Sequence, residues 1–298
     1  MTRAFVVVNP AAGDGRTARV WRRLGAELTR LGLVFEVAET RRPGDGAELA
    51  RRAAASGWPL VVAVGGDGTL NEVVNGVTDG QGEPLATTGA ILTGRGCDAW
   101  RNIGLARDWS LAARRLIDGT DAALDLGAAE WPDGSRRYFV SAAGAGFDAV
   151  VARRAVSRSG SGTLPYLRAI LESLVAHRAC PAALEVDDGA MLAGPLTTAV
   201  VANGAYFGGG MKIAPSADAA DGLLDLVVVG DLGRAELLRW LPALYRGRHL
   251  ASSKVTTRRV RRVVVSAAGP LPTHVDGEPA ADTPVTFRVC PRALRLRR

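Results

Sequence analysis

Val61-Val62-Ala63-Val64-Gly65-Gly66-Asp67-Gly68-Thr69-Leu70-Asn71-Glu72-Val73-Val74-Asn75-Gly76 reads as a buried strand, a glycine turn and a helix in direct succession. Gly65, Gly66 and Gly68 remove side chains where the backbone must turn sharply or approach a ligand. Thr69 and Glu72 stand at capping-box spacing, and Leu70, Val73, Val74 and Val77 then recur on one helix face. A helix N-terminus behind glycines offers free N–H groups and a positive dipole end, which suits a phosphate. Asp67 lies among those donors, where a carboxylate could hold Mg²⁺ or accept a proton from an attacking hydroxyl.

Outward from this stretch, strand patterns at Ala4–Asn9, Leu33–Ala38, Leu60–Val64 and Gly89–Leu92 alternate with helical ones. The helical patterns are Thr17–Leu31, Gly46–Ala55, Leu70–Val77 and Ser110–Asp118. Such alternation predicts a parallel sheet with helices on both faces. Ligands of open sheets bind beyond the carboxyl ends of the strands, where Asn9-Pro10, Thr40 and Gly65-Gly66 fall. From Ala122 the texture changes to short β-rich runs between Gly, Pro and Asp turns: Tyr138–Ala142, Leu184–Val186, Thr197–Ala202, Leu224–Val229, Val260–Val265 and Val285–Val289. These predict an all-β sandwich or barrel, with helices inserted at Phe147–Ala155, Leu164–His177 and Ala235–Tyr245. The expected division is an α/β domain over residues 1–121 and a β domain over 122–287.

At 298 residues the chain is long enough for two cores, and 47% hydrophobic with 22% charged residues is a globular composition. The net charge of +7 favours acidic partners, but only Lys212 and Lys254 are lysines, and arginine with abundant alanine and glycine also fits a GC-rich coding bias. Aromatics at 5% and no recognisable binding motif argue against a nucleic-acid partner. Cys97, Cys180 and Cys290 lack disulfide or metal spacing and suggest free thiols in a reducing cytoplasm. No apolar run approaches the roughly 18–20 residues of a membrane span, so a soluble, cytoplasmic protein is expected, at most peripheral at the inner membrane face.

Gly65–Gly76 resembles the nucleotide-binding signature of the diacylglycerol kinase catalytic-domain superfamily, in particular its bacterial soluble lipid kinases, relatives of the sphingosine kinases. Asn9-Pro10-Ala11-Ala12-Gly13 is similar to that family's first phosphate-side loop. Asn203-Gly204, Gly208-Gly209-Gly210, Ala214-Pro215 and Asp221-Gly222-Leu223-Leu224-Asp225 resemble its second-domain signature, and Asp276-Gly277-Glu278 its late Asp-Gly-Glu element. The matches run in order over nearly the whole chain. They imply an α/β nucleotide-binding domain with an NAD-kinase-like parallel sheet, an all-β sandwich second domain, and a C-terminal tail, about 288–298, that returns to the first domain.

Further expectations rest on the resemblance. ATP is expected on Asn9, Pro10, Ala11, Ala12 and Gly13, on Gly65 through Glu72 (Gly66, Asp67, Gly68, Thr69, Leu70 and Asn71 among them), on Thr40, and on Gly94 and Arg95, with its phosphates on Gly66–Thr69 and the Asn9–Gly13 loop. Asp276-Gly277 alone reads as a hairpin turn; the resemblance instead implies that Glu278 is the general base, with Asp276 and Asp67 in a metal-linked carboxylate cluster. A bracing Mg²⁺ is implied at Asp218, Asp221 and the carbonyl of Leu223, hard oxygen donors of the type that ion takes. In Leu92-Thr93-Gly94-Arg95-Gly96-Cys97-Asp98 the chain departs from the family: Leu92, Arg95 and Cys97 replace proline, threonine and asparagine.

Gly144-Ala145-Gly146-Phe147-Asp148-Ala149 nominally matches a dinucleotide fingerprint, but no parallel unit follows it; the resemblance places a wall of the acceptor site there. His177, His249 and His274 show no ligand spacing and are expected to be structural or surface residues. Leu164–His177 carries an apolar face suited to core packing or to a membrane edge. The leading function is therefore an ATP- and Mg²⁺-dependent lipid kinase acting on diacylglycerol or a related lipid at a membrane surface. The alternatives are an NAD kinase or non-lipid alcohol kinase, and a nucleotide-binding regulatory protein with weakened turnover. Oligomeric state stays open, a homodimer included.

Overall fold

The computed structural model describes every residue except Met1, Arg95, 157–162 and Asp188, and the side chains of Val156, 163–167 and Ala176. Two compact units emerge, Met1–Asp125 with Pro291–Arg298, and Leu126–Cys290.

In the first unit β1 (Arg3–Val8), α1 (Ala12–Arg30), β2 (Val34–Glu39), α2 (Asp45–Ala55), β3 (Leu60–Gly65), α3 (Asp67–Val77) and β4 (Thr87–Leu92) alternate. The strands are parallel in the order β2-β1-β3-β4. A short α4 (Ala99–Asn102) and α5 (Trp109–Asp118) follow. Val6, Val8, Val62 and Val64 pack with Leu24 and Leu28 of α1 and Ala112, Ala113 and Leu116 of α5. Val7, Val61 and Ala63, equally buried, alternate onto the opposite face. A strand buried on both faces needs the unbroken apolar run that β3 has.

Three successive residues inside the first turn of α1, Gly13, Asp14 and Gly15, have φ of 63°, 57° and 72°. The chain therefore loops before the regular helix begins, near the Thr17 at which the periodicity starts.

β5 (Asp121–Glu130) leads into the second unit, which holds β6 (Arg136–Phe139), β7 (Ala142–Gly146), α6 (Phe147–Val156), α7 (Thr163–Ala176), β8 (Cys180–Val186), β9 (Ala190–Leu196) and β10 (Thr198–Ala202). Next come β11 (Tyr206–Phe207), β12 (Met211–Lys212), β13 (Leu224–Val229), α8 (Arg234–Leu244), β14 (Val255–Val260), β15 (Arg262–Ala267), β16 (Thr273–Val275), β17 (Glu278–Ala280) and β18 (Val285–Arg297). One sheet has the order β14-β13-β10-β7-β16-β17; the other places β18, β15, β8 and β9 side by side. Phe139, Val201, Leu226, Val263 and Phe287 join one core that draws on strands of both sheets. The last residues of β18 belong to the first unit, where Leu296 pairs with Thr88 of β4.

Two strand expectations need correction. The apolar run Val260–Val265 is two strands in different sheets, separated at Arg261. The Asp187 carboxylate takes the amides of Arg261 and Arg262 at 2.8 and 2.9 Å and so holds the corner. The run Tyr138–Ala142 also breaks, because the amides of Val140, Ser141 and Ala142 turn to the Asp276 carboxylate.

Candidate active site

Three loops converge at the carboxyl ends of β1, β3 and β4. Gly66 is the N-cap of α3, and a methyl group on Gly94 would lie 2.9 Å from its Cα. A methyl group on Gly13 would lie 3.1 Å from the carbonyl oxygen of Thr93. The Gly65 carbonyl accepts the amides of Thr93 and Gly94 at 2.7 and 3.2 Å. Side chains on Gly13 and Gly94 would press into the facing backbone, so the loops approach this closely only without them, and the Cys97 sulfur lies beside Gly94. Such a surface suits the close approach of a polyphosphate.

The cradle is fixed by polar ties. Asn9 Nδ2 donates to Thr69 Oγ1 at 3.1 Å, while Asn9 Oδ1 accepts the amide of Ala11 at 3.1 Å. The hydroxyls of Thr17 and Thr93, both fully buried, lie 2.5 Å apart and join α1 to the end of β4. The two residues stand 76 positions apart, so no local pattern in the sequence records the pair. Asp67 Oδ2 accepts the amide of Asp98 at 2.8 Å, so its carboxylate holds the loop that precedes α4.

Not every residue of the signature faces the cradle. Leu70 and Asn71 are buried in α3. Glu72 does not close a capping box with Thr69: its two oxygens take the amides of Gly44 and Gly46, both at 2.8 Å, at the start of α2. Thr40 donates its amide to the carbonyl of Val8. Arg95 lies outside the described residues.

Cys97 sits against the cradle. Burial first, and then the nearby Asp67 charge, push its thiol up to about 12, although the amides of Asp67 and Gly94 hydrogen-bond its sulfur. The group is therefore a neutral thiol resting on the first amide of α3, where the motif alone suggested a phosphate.

In the second unit Asp276 and Gly277 join β16 to β17 with φ of 47° and 83°, a two-residue hairpin turn with both residues left-handed. Asp276 Oδ2 accepts Val140 N–H at 2.8 Å, and Oδ1 accepts those of Ser141 and Ala142 at 2.9 and 3.0 Å. Its carboxylate is thus engaged in holding β6 and β7 to the hairpin. Glu278 begins β17 and pairs with Arg137 at 2.7 Å, its side chain 43% exposed and so within reach of solvent and ligand.

The metal expectation meets an obstacle. Asp221 Oδ1 accepts the amide of Leu223 at 3.0 Å and its Oδ2 is paired with the Arg259 guanidinium. Asp218 accepts the amide of Ala220 at 3.1 Å. Neighbouring Asp225 is pushed above the usual carboxylate range by burial, against the pull of Ser216 and Arg259. A cation at Asp218, Asp221 and Leu223 would have to share Asp221 with the exposed Arg259 guanidinium, and no step is routed through it.

A parallel α/β unit with glycine loops at its strand ends is followed along the chain by a β-sandwich unit. The family model "Diacylglycerol kinase catalytic domain" matches residues 3–129, and "YegS C-terminal NAD kinase beta sandwich-like domain" matches 141–298. The chain is 31% identical over 298 residues to a protein named diacylglycerol kinase from Mycobacterium tuberculosis (strain ATCC 25618 / H37Rv), covering 99% of this chain and 95% of that one. It is 28% identical to the diacylglycerol kinase of Bacillus subtilis (strain 168), with 96% and 93% covered. Two solved structures from Bacillus anthracis str. Sterne superpose with TM-scores of 0.78 and 0.72 at 20% and 18% identity, each covering 99% of this chain and 96% of its own. At those identities the likeness establishes the fold. The chain belongs to the diacylglycerol kinase family and is an enzyme of the kinase class. No helix among the described residues is long and apolar enough to cross a membrane.

Proposed function

We propose that this enzyme transfers the γ-phosphate of MgATP to the hydroxyl of diacylglycerol or a closely related lipid presented at a membrane surface. The observation that supports the nucleotide half is the meeting of the loops at the side-chain-free positions Gly13, Gly66 and Gly94 at the start of α3. The relatives named diacylglycerol kinase support the lipid half.

In this reading ATP phosphates meet the backbone of Asn9–Gly13, Gly65–Thr69 and Gly94, with Mg²⁺ entering on the nucleotide as part of the substrate. The acceptor oxygen attacks the γ-phosphorus, the bond from that phosphorus to the β–γ bridging oxygen breaks, ADP leaves, and the hydroxyl proton passes to the Glu278 carboxylate. Placement and charge neutralisation carry most of such a transfer, and the base adds a smaller factor. Asp67 acts through the loop it holds at Asp98 and Ala99, 2.8 and 3.4 Å away. Cys97, resting on the first amide of α3, favours one second reading, an ATP binder with slow turnover.

The test is incubation with MgATP and separate micelles of diacylglycerol, a sphingoid base and a glycolipid, with NAD as a soluble acceptor, read by mass spectrometry. Phosphatidic acid as the dominant product supports the proposal. Phosphorylated NAD alone, or no product despite ATP binding, counts against it.

A further inference from the structure

His274, buried at 0% exposure in β16, shares hydrogen bonds with two segments distant from each other in sequence. Its Nε2 lies 2.8 Å from Asp148 Oδ2, and its Nδ1 faces the amide of Gly277 at 3.3 Å. A backbone amide only donates, so Nδ1 is the unprotonated nitrogen and Nε2–H donates to Asp148. Thr198 Oγ1 donates to the other Asp148 oxygen at 2.6 Å. The imidazole stacks on Phe207, with centroids 4.9 Å apart and planes 11° from parallel. Gly144 is the residue opposite His274 in the ladder, and any side chain there would collide with the Asp148 carboxylate. One neutral ring thereby ties together Gly144 to Asp148, the segment around Phe207, and the Asp276-Gly277 turn, which are three motifs the sequence presents separately.

We propose that His274 is a positioning residue for phosphoryl transfer, setting the Gly277 turn and hence Glu278 in register with the Asp148 and Phe207 wall. The proposal rests on the kinase reading above for Glu278. The physical reason is that a two-residue turn transmits any tilt directly to the side chain that follows it. A misplacement of about 1 Å in a reacting group can cost on the order of a hundredfold in rate. Burial makes the ring an effective tie: His274 is fully buried while Asp148 keeps 16% of its side chain exposed, so the ring nitrogens have no solvent to turn to and hold to Gly277 and Asp148.

The test pairs two substitutions that each keep half of the ring's bonding. His274→Asn keeps an acceptor at the Nδ1 place for Gly277, and His274→Gln keeps a donor at the Nε2 place for Asp148. The expected result is that kcat falls by roughly thirtyfold or more in His274→Gln and by only about threefold in His274→Asn, with KM for ATP unchanged in both. Equal losses in the two, tracking equal losses in melting temperature, would reduce the ring to packing and overturn the proposal. On the wild type, ¹⁵N NMR of the histidine rings is expected to show a neutral Nε2–H tautomer for His274 and slow exchange of the Gly277 amide; the Nδ1–H tautomer or a charged ring would also overturn it. The NMR result stands independently of activity, so a wild type that phosphorylates no lipid counts against the kinase reading alone.

Discussion

Glu72 Oε1 lies 2.8 Å from the amide of Gly44, and its Oε2 lies 2.8 Å from that of Gly46, so a residue of the nucleotide signature caps a neighbouring helix. Charge-assisted bonds to backbone N–H groups at a helix start contribute roughly 1.5–3 kcal/mol. Glu72→Ala is therefore expected to lower stability by about 2 kcal/mol in urea unfolding while ATP affinity changes less than about threefold. Loss of ATP binding with unchanged stability would assign Glu72 to the nucleotide instead.

Asp276 offers a second case of a signature carboxylate with a backbone task. It accepts three amides, those of Val140, Ser141 and Ala142. Asp276→Ala should cost about 3 kcal/mol or more by leaving those donors unpaired, and Asp276→Asn less, because one amide oxygen remains. Calorimetric melting of both variants checks this. An Asp276→Ala protein as stable as the wild type but inactive would show a purely chemical role.

The thiol of Cys97, raised to about 12, should resist alkylation. A higher value means less thiolate at any working pH, and the thiolate is the reacting form. Against an ordinary free thiol near 8.5, iodoacetamide at pH 8 should modify Cys97 on the order of a thousandfold more slowly. Peptide mass spectrometry over a time course measures it; modification as fast as that of a free thiol would contradict this placement.

Arg259 gives a metal test. With its guanidinium on Asp221, Mg²⁺ and a chelator should leave the melting temperature of the ligand-free protein unchanged. Arg259→Met vacates that oxygen and should make the fold Mg²⁺-responsive, by about 1.4 kcal/mol when the ion stands at tenfold its dissociation constant. Mg²⁺ stabilisation of the wild type would instead restore the metal reading of Asp218, Asp221 and Leu223.

What the sequence could reveal followed the range of the interactions. β13 is legible to the residue, Leu224–Val229, because its largely apolar, valine-rich run, buried at every position but Val228, is carried by its own side chains. The apolar face of α3 was equally legible, and Leu70, Val73, Val74 and Val77 are all buried. The helix itself starts at Asp67, three residues earlier than the periodicity, because the first turn is polar and carries the motif. Corners were hidden. Nothing in Val-Arg-Arg-Val-Val-Val reveals that Asp187, 74 positions away from Arg261, divides it between two sheets. His274 was set aside for want of ligand spacing, since its partner Asp148 lies 126 residues off and no local pattern records the pairing. Gly144 was the nearest signal: a glycine in a strand interior marks a close approach, here that of the Asp148 carboxylate.

The most direct measurement is transfer of labelled γ-phosphate from MgATP to diacylglycerol in mixed micelles, with Asp67→Asn assayed beside the wild type. Labelled phosphatidic acid from the wild type, reduced by about a hundredfold or more in a variant that keeps its melting temperature, is the predicted result. No labelled lipid from a wild-type protein that binds ATP, or equal rates in the two proteins, would contradict it.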